Sequence, residues 1–203
     1  LLKEPDINIA LLDVFNEQLT TVGANIIYVR QKFLSELKKY AKTGYLGISK
    51  NEEFDLKYSF EEKDLNEIAK ALKEELEERL KYYADHFWLM FDNDKLIAFV
   101  DGFVTDEKDL TDEMYAKAQL HNENGAWQMI FGVNTIPSYR RKGYAGQLIK
   151  RAIKDAKKQG RKGLVLTCKD HLVHYYAKFG FINEGLSEST HGNVTWNQMR
   201  LTF

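Results

Sequence analysis

Residues 127–159 read WQMIFGVNTIPSYRRKGYAGQLIKRAIKDAKKQ, and the fold is decided here. The stretch opens on a short apolar run, Met129-Ile130-Phe131-Gly132-Val133, of buried-strand length. Pro137 and Ser138 mark a turn. Arg140-Arg141-Lys142-Gly143-Tyr144-Ala145 follows, and then Ala145, Leu148, Ile149, Ala152, Ile153 and Ala156 recur at helical spacing. A strand, a basic glycine-bearing turn and a helix in that order suit an anion. The first amides of a helix lack intrahelical partners, and its dipole puts positive charge at that end. Gly143 and Ala145 leave room for a phosphate against the backbone, and the three basic residues favour a diphosphate over a single carboxylate. A solvated basic turn before an ordinary helix is the other reading of the same residues.

On the N-terminal side, residues 1–50 read as a helical extension. Ile7, Leu11, Leu12, Phe15, Leu19 and Val22 form one stripe, Gly23 interrupts, and Ile26, Ile27, Val29, Phe33, Leu34, Leu37 and Tyr40 form a second that Gly44 can end. Two such helices either pack on the domain that follows or as a hairpin, or serve as a partner or homodimerisation arm. Residues 51–203 read as a second region. Phe54, Leu56, Tyr58 and Phe60 alternate as on a strand, and Glu61 to Tyr83 reads as a helix with a solvated Lys/Glu face. Phe87 to Phe91 and Leu96 to Val104 flank Asp92-Asn93-Asp94-Lys95, a hairpin turn. Residues 106–124 are polar, with a helical turn expected near Thr111 to Tyr115. Gly163 to Cys168 is a buried strand, His171 to Phe179 a short helix, and Gly180-Phe181 and Val194 to Phe203 supply the last strands. The expected class is α/β (α+β), a mixed central sheet of about seven strands.

The 203 residues are 44% hydrophobic and carry a net charge of −1, which gives no electrostatic case for nucleic acid or a membrane surface. The single cysteine, Cys168, permits no internal disulfide and suits a reducing compartment, so a cytoplasmic location is expected. No apolar run reaches membrane-spanning length, and no His/Cys spacing resembles a metal site.

Arg140-x-x-Gly143-x-Ala145 after a strand resembles the acetyl-CoA signature of the GNAT superfamily of N-acetyltransferases. From Leu96 to Phe203 the chain is similar to that superfamily's core, and especially to its arylalkylamine (serotonin) N-acetyltransferase-like branch. The finer similarity lies in Leu166 to Asp170, in His174-Tyr175-Tyr176-Ala177-Lys178-Phe179-Gly180-Phe181 and in Val194 to Met199. The resemblance implies a GNAT fold in which two central parallel strands, here Met129 to Val133 and Gly163 to Cys168, splay apart. It implies acetyl-CoA as acyl donor and no metal, with the backbone of Ile130, Phe131, Gly132 and Val133 along the pantetheine and thioester. Arg140, Arg141, Lys142, Gly143, Tyr144 and Ala145 would lie at the diphosphate, with Lys178 also beside the cofactor. Tyr176 stands at the position of the family's tyrosine that protonates the coenzyme A sulfur. Relatives break the helical region before Phe87 into two helices with a loop over the acceptor pocket. No Gly, Pro or polar loop divides Asp64 from Tyr83 here.

Acetyl transfer from a thioester to an amine needs a proton acceptor for the amine, donors for the oxyanion and a proton for the departing thiolate. The animal arylalkylamine enzymes place two histidines on the strand before the acetyl-CoA loop. Trp127 and Met129 stand at the matching positions, and neither takes a proton. Glu123, Asp101, His121, His174 and His191 are the alternatives, each also readable as a surface or structural group. Trp127, Met129, Phe87, Trp88 and Trp196 suggest an apolar pocket for a hydrophobic amine, with core packing as the other reading. Cys168 reads as a buried structural thiol, since no histidine accompanies it. The function expected is direct acetylation of a small primary amine. A protein N-terminal or lysine acetyltransferase, and a non-catalytic acyl-CoA-binding regulatory module, are the alternatives.

Overall fold

A computed structural model of the chain describes residues 9–46, 64–190 and 194–203. Two compact units divide it, Asn8–Glu78 and Arg79–Phe203. In the first unit, α1 runs unbroken over Ile9–Leu46, where the sequence suggests two helices parted at Gly23. A glycine costs an exposed helix about 1 kcal/mol but does not end it. At this one the packing explains the choice, because a Cβ on Gly23 would lie 3.1 Å from Leu72 Cδ1. Leu72 belongs to α2, Leu65–Tyr83. Beside Gly23, Ala24 is buried, while Val22, Ile26, Val29, Phe33, Leu37 and Tyr40 are exposed. No helix among the described residues is long and apolar enough to cross a membrane.

The second unit is built on six strands: β1 (Phe87–Asp92), β2 (Lys95–Thr105), β3 (Trp127–Thr135), β4 (Gly163–Cys168), β5 (Ile182–Leu186) and β6 (Asn197–Thr202). They lie in the order β1-β2-β3-β4-β6-β5. That is one fewer than the seven expected; the alternating segment 54–60, counted as the first strand, lies outside the described residues. The hairpin expected at Asp92 to Lys95 forms, with Asn93 at φ 52° in the turn, a conformation its short polar side chain tolerates. Among the described residues only β3 and β4 pair in parallel, and every other ladder is antiparallel.

Helix α3 (Asp112–Ala116) occupies the expected helical turn. After β3 come a 3₁₀ turn at Pro137–Tyr139 and α4, Tyr144–Lys158. The short helix after β4 is α5, Val173–Ala177. Leu148, Ile149, Ala152 and Ala156 put one face of α4 onto the sheet, where Val100, Ile130, Leu164, Leu166 and Met199 meet it. Lys157 and Lys158 close the helix, where cations suit its dipole.

Two irregularities in the middle of the sheet position everything that follows. The parallel pairing of β3 with β4 runs only from Trp127↔Gly163 to Ile130↔Leu166, although β3 continues to Thr135 and β4 to Cys168. Past Ile130 the two strands part, leaving on that side of β3 a backbone edge with no strand partner among the described residues, as the resemblance implies. On the other side of β3, Asp101 pairs with Gly132 but Gly102 pairs with Ile130. Phe131 is the extra residue of a β-bulge, which bends the strand and reverses the side-chain alternation beyond it.

Candidate active site

The basic corner lies between β3 and α4. Arg141 (φ 62°) and Gly143 (φ 84°) both take left-handed backbone, and Gly143 stands at the N-cap position of α4. No side chain caps the helix, so its first amides are left for another acceptor. A Cβ on Gly143 would meet nothing within 4 Å, so the corner opens outward. Arg140 donates from Nε to the Thr135 carbonyl at 3.0 Å, which ties the corner to the end of β3. Lys142 Nζ stands 4.8 Å from the centre of the Tyr139 ring, whose hydroxyl bonds Asp92.

Helix α5 packs against the start of α4. A Cβ on Gly146 would lie 3.2 Å from the Phe179 ring and 3.7 Å from the Tyr175 hydroxyl. Tyr176, one residue on, is buried in the core with its ring edge-on to Tyr175 and Phe181. Burial, with the nearby Cys168 and Tyr175, pushes its phenol far above the usual range. Tyr176 therefore keeps its proton at any ordinary pH, though it is a weaker acid than a free phenol matched to a thiol. Cys168, at the end of β4, is pushed up to about 11 by burial and by Asp170. It is a thiol rather than a thiolate, which fits the structural reading. Lys178 is exposed at the C-terminal end of α5.

The sheet face away from α4 is aromatic. The Phe131 ring centre lies 4.8 Å from that of Tyr115, 4.9 Å from Phe103 and 6.4 Å from Tyr83. Phe87 stacks on Tyr83 at 5.8 Å and stands opposite Asp101 in the β1–β2 ladder. Asp101 is 5% exposed, and its carboxyl is pushed up to about 6. Burial raises it; the Arg79 guanidinium and hydrogen bonds from the Gly132 amide and its own oppose the rise without cancelling it. Arg79 also donates to the Tyr115 carbonyl, and the Tyr115 hydroxyl is 3.4 Å from Thr167 Oγ1 on β4. Groups from α2, α3, β2, β3 and β4 thus converge beside the parting of β3 and β4. The sequence carried one signal for Asp101, a lone charge within the apolar run of Leu96 to Val104.

The five aromatic and methionine residues read as a pocket do not lie together. Phe87 and Met129 belong to the aromatic face, Met129 fully buried opposite Phe103. Trp88 lies on the α4 side and donates its indole N–H to Asp155. Trp127 starts β3, at the end remote from the parting, and packs under the Arg200 guanidinium at 4.7 Å. Trp196 is half-buried just before β6, and its carbonyl accepts the Ser187 amide.

Of the groups weighed as a base, Glu123 and His121 belong to a separate network. Glu123 bonds Arg161 at 2.5 Å and His86 Nε2 at 2.9 Å, and His121 Nε2 is 3.3 Å away. Burial alone would raise the Glu123 carboxyl, but His86 and Arg161 outweigh it and hold the group below its usual range. Burial and the His86 charge lower His121. The two histidines and Glu123 offer ligand atoms within 4.8 Å of one another, the distance range of a metal site. At His121 the hydrogen-bond direction opposes that use, whereas His86 keeps Nε2 toward Glu123. His121 Nδ1 accepts the Val104 amide, so its proton sits on Nε2, facing Glu123. Gln128 donates to the Phe103 and Met129 carbonyls, which leaves its oxygen to take the His86 Nδ1 proton. His174 is exposed on α5, and His191 lies outside the described residues.

The pattern of the "Acetyltransferase (GNAT) family" matches residues 49–181, and the chain belongs to that family. Over 114 residues it is 29% identical to a serotonin N-acetyltransferase of Mesocricetus auratus, covering 56% of this chain and 54% of the relative. Over 81 residues it is 38% identical to a DNA replication and repair protein RecF of Clostridium perfringens, covering 39% of this chain. The chain thus spans about half the length of the first relative and 22% of the second. The crystal structure of the loading GNATL domain of CurA from Lyngbya majuscula superposes with a TM-score of 0.54 at 14% identity, covering 64% of this chain and 82% of that one. At that identity the likeness concerns the fold.

Proposed function

We propose that this member of the acetyltransferase (GNAT) family transfers the acetyl group of acetyl-CoA directly to the primary amine of a small acceptor. One observation carries the reading: the uncapped, left-handed corner at Arg141 to Gly143 and the unpaired edge of β3 past Ile130 are consecutive along the chain. The diphosphate sits on the amides opening α4, with Arg140, Arg141, Lys142, Gly143, Tyr144 and Ala145 around it. The pantetheine amides take the place of the missing strand partner along Phe131, Gly132 and Val133. This directs the thioester toward the parting of the strands. There the amine nitrogen attacks the carbonyl carbon, a C–N bond forms, and the C–S bond breaks. Tyr176, on the helix packed against the corner, gives its proton to the leaving sulfur and regains one from solvent. Holding both reactants at one place supplies several kcal/mol of the barrier reduction.

The aromatic face of Phe131, Tyr115, Phe103 and Phe87 favours an acceptor with an apolar body, and the partial likeness to serotonin N-acetyltransferase supports an arylalkylamine. Thiol release from acetyl-CoA, measured against arylalkylamines, polyamines and peptides, tests the reading. Turnover with an arylalkylamine is the expected result. Turnover with peptides alone points to protein acetylation. Tight binding of coenzyme A with no turnover at all points to a regulatory module and overturns the proposal.

A further inference from the structure

The acetyl-transfer reading leaves the proton of the attacking amine without a destination, since Trp127 and Met129 accept none. We propose that Asp101 is the general base of this chain, taking that proton from the acceptor nitrogen as it attacks the thioester. The inference rests on the acetyl-transfer reading and deepens it.

Three geometric observations carry it. First, the β-bulge at Phe131 brings Asp101 opposite Gly132, on the part of β3 that has already left β4. Second, the bare face of Gly132 points at the carboxylate, since a Cβ there would lie 2.3 Å from Asp101 Oδ1. The Asn134 side-chain amide nitrogen is the next nearest group, 3.1 Å from that Cβ position. Third, Phe131, Tyr115 and Phe103 wall the same face with aromatic rings, so an amine with an apolar body would bring its nitrogen to the Asp101 carboxylate on that face. The charged and titratable groups packed on this face are Arg79 and Tyr83 from α2 and Tyr115 from α3, whose phenol also feels Asp112, and β1 places Phe87 opposite. Burial outweighs Arg79 and leaves the carboxyl titrating near 6. A base with that value is ionised at neutral pH and still holds a proton far better than an ordinary aspartate.

The proton balance closes. An ammonium acceptor first loses one proton to solvent. The neutral nitrogen then forms the C–N bond as the C–S bond breaks and passes its surplus proton to Asp101, Tyr176 supplies one to the sulfur, and solvent exchanges both.

The test is kcat/KM against pH for the wild type, Asp101→Asn and Asp101→Glu, with acetyl-CoA affinity measured by calorimetry on each. The wild type should lose activity below about pH 6. Asp101→Asn should fall on the order of 10²-fold or more at pH 7, lose that limb and regain rate as the amine deprotonates in solution, with acetyl-CoA affinity kept. Asp101→Glu should restore part of the rate with a displaced limb, and it decides the matter should Asp101→Asn not fold. An unchanged limb in either variant overturns the assignment while acetyl transfer stands. A wild type that acetylates no amine overturns the acetyl-transfer reading, and this inference with it.

Discussion

The carboxylate of Asp101 occupies the space in which a side chain on Gly132 would begin, with Oδ1 2.3 Å from the position of that Cβ. The two residues face each other across the β2–β3 ladder, one step before the bulge. The pair joins the edge of β3 beyond its parting from β4 to the acid beside it, and Gly132 cannot gain a side chain without displacing Asp101.

Gly132→Ala should therefore act through Asp101. The added methyl cannot coexist with the present carboxylate position, so the acid or the strand must shift. Turnover should fall at least tenfold, since displacements of about 1 Å at a reacting centre cost up to ~10²-fold. Steady-state kinetics with the preferred amine checks this, and a variant within twofold of wild type would mean that the Asp101 position is immaterial.

Asp101 should also destabilise the protein at neutral pH. Its carboxyl is raised from 3.8 to about 6 by burial, so the folded chain holds more protons than the unfolded chain between those values. The stability due to this group is complete below about pH 4 and declines as pH rises through 6, by up to about 3 kcal/mol. Asp101→Asn should remove the decline and raise the melting temperature at pH 7.5 by several degrees. Thermal unfolding of both proteins at pH 5 and pH 7.5 measures it, and equal melting temperatures at pH 7.5 contradict it.

Tyr176→Phe removes only a hydroxyl from a packed ring. Turnover should drop at least tenfold while acetyl-CoA affinity changes little, because the ring still fills its place against Phe181. Calorimetry and kinetics on the same preparation separate the two effects. Unchanged turnover removes Tyr176 from the mechanism.

Gly143→Glu should abolish acetyl-CoA binding. The position holds φ 84°, which costs a non-glycine residue roughly 1–2 kcal/mol, and the new carboxylate would repel a diphosphate at the start of α4. Retained binding in a calorimetric titration places the diphosphate elsewhere.

Cys168→Ala should keep turnover within about threefold of wild type, since the buried thiol, pushed up to about 11, cannot serve as a nucleophile near neutral pH. A loss of activity beyond a hundredfold, with the fold intact, would revive a covalent acetyl-enzyme.

Much of the second unit was legible along the chain. The apolar run from Met129, the Pro137 turn, Gly143 and the helical spacing after Ala145 each have a local cause, and β3, the corner and α4 stand where those causes put them. The hairpin at Asn93 and the strand at Gly163 were equally local. Gly23 was misleading for the complementary reason. Its helix-weakening tendency is visible in sequence, but the approach of Leu72 that makes a glycine useful there is not.

By itself, then, the sequence determined the order of elements in the second unit, the basic glycine-bearing corner and the likeness to acetyltransferases, because turn chemistry and side-chain periodicity act between neighbours in the chain. Tertiary structure alone decided which residues share a face. Phe131 is an ordinary strand residue until the register across β2 and β3 makes it a bulge, and the registers of β1, β2 and β3 together send Asp101 toward the aromatic face and Trp88 toward α4. Burial, the cause of the raised Asp101 and Tyr176 values, likewise comes from segments distant in sequence folding over these groups. Pairing between strands is a property of two stretches at once, and no pattern within either one records it.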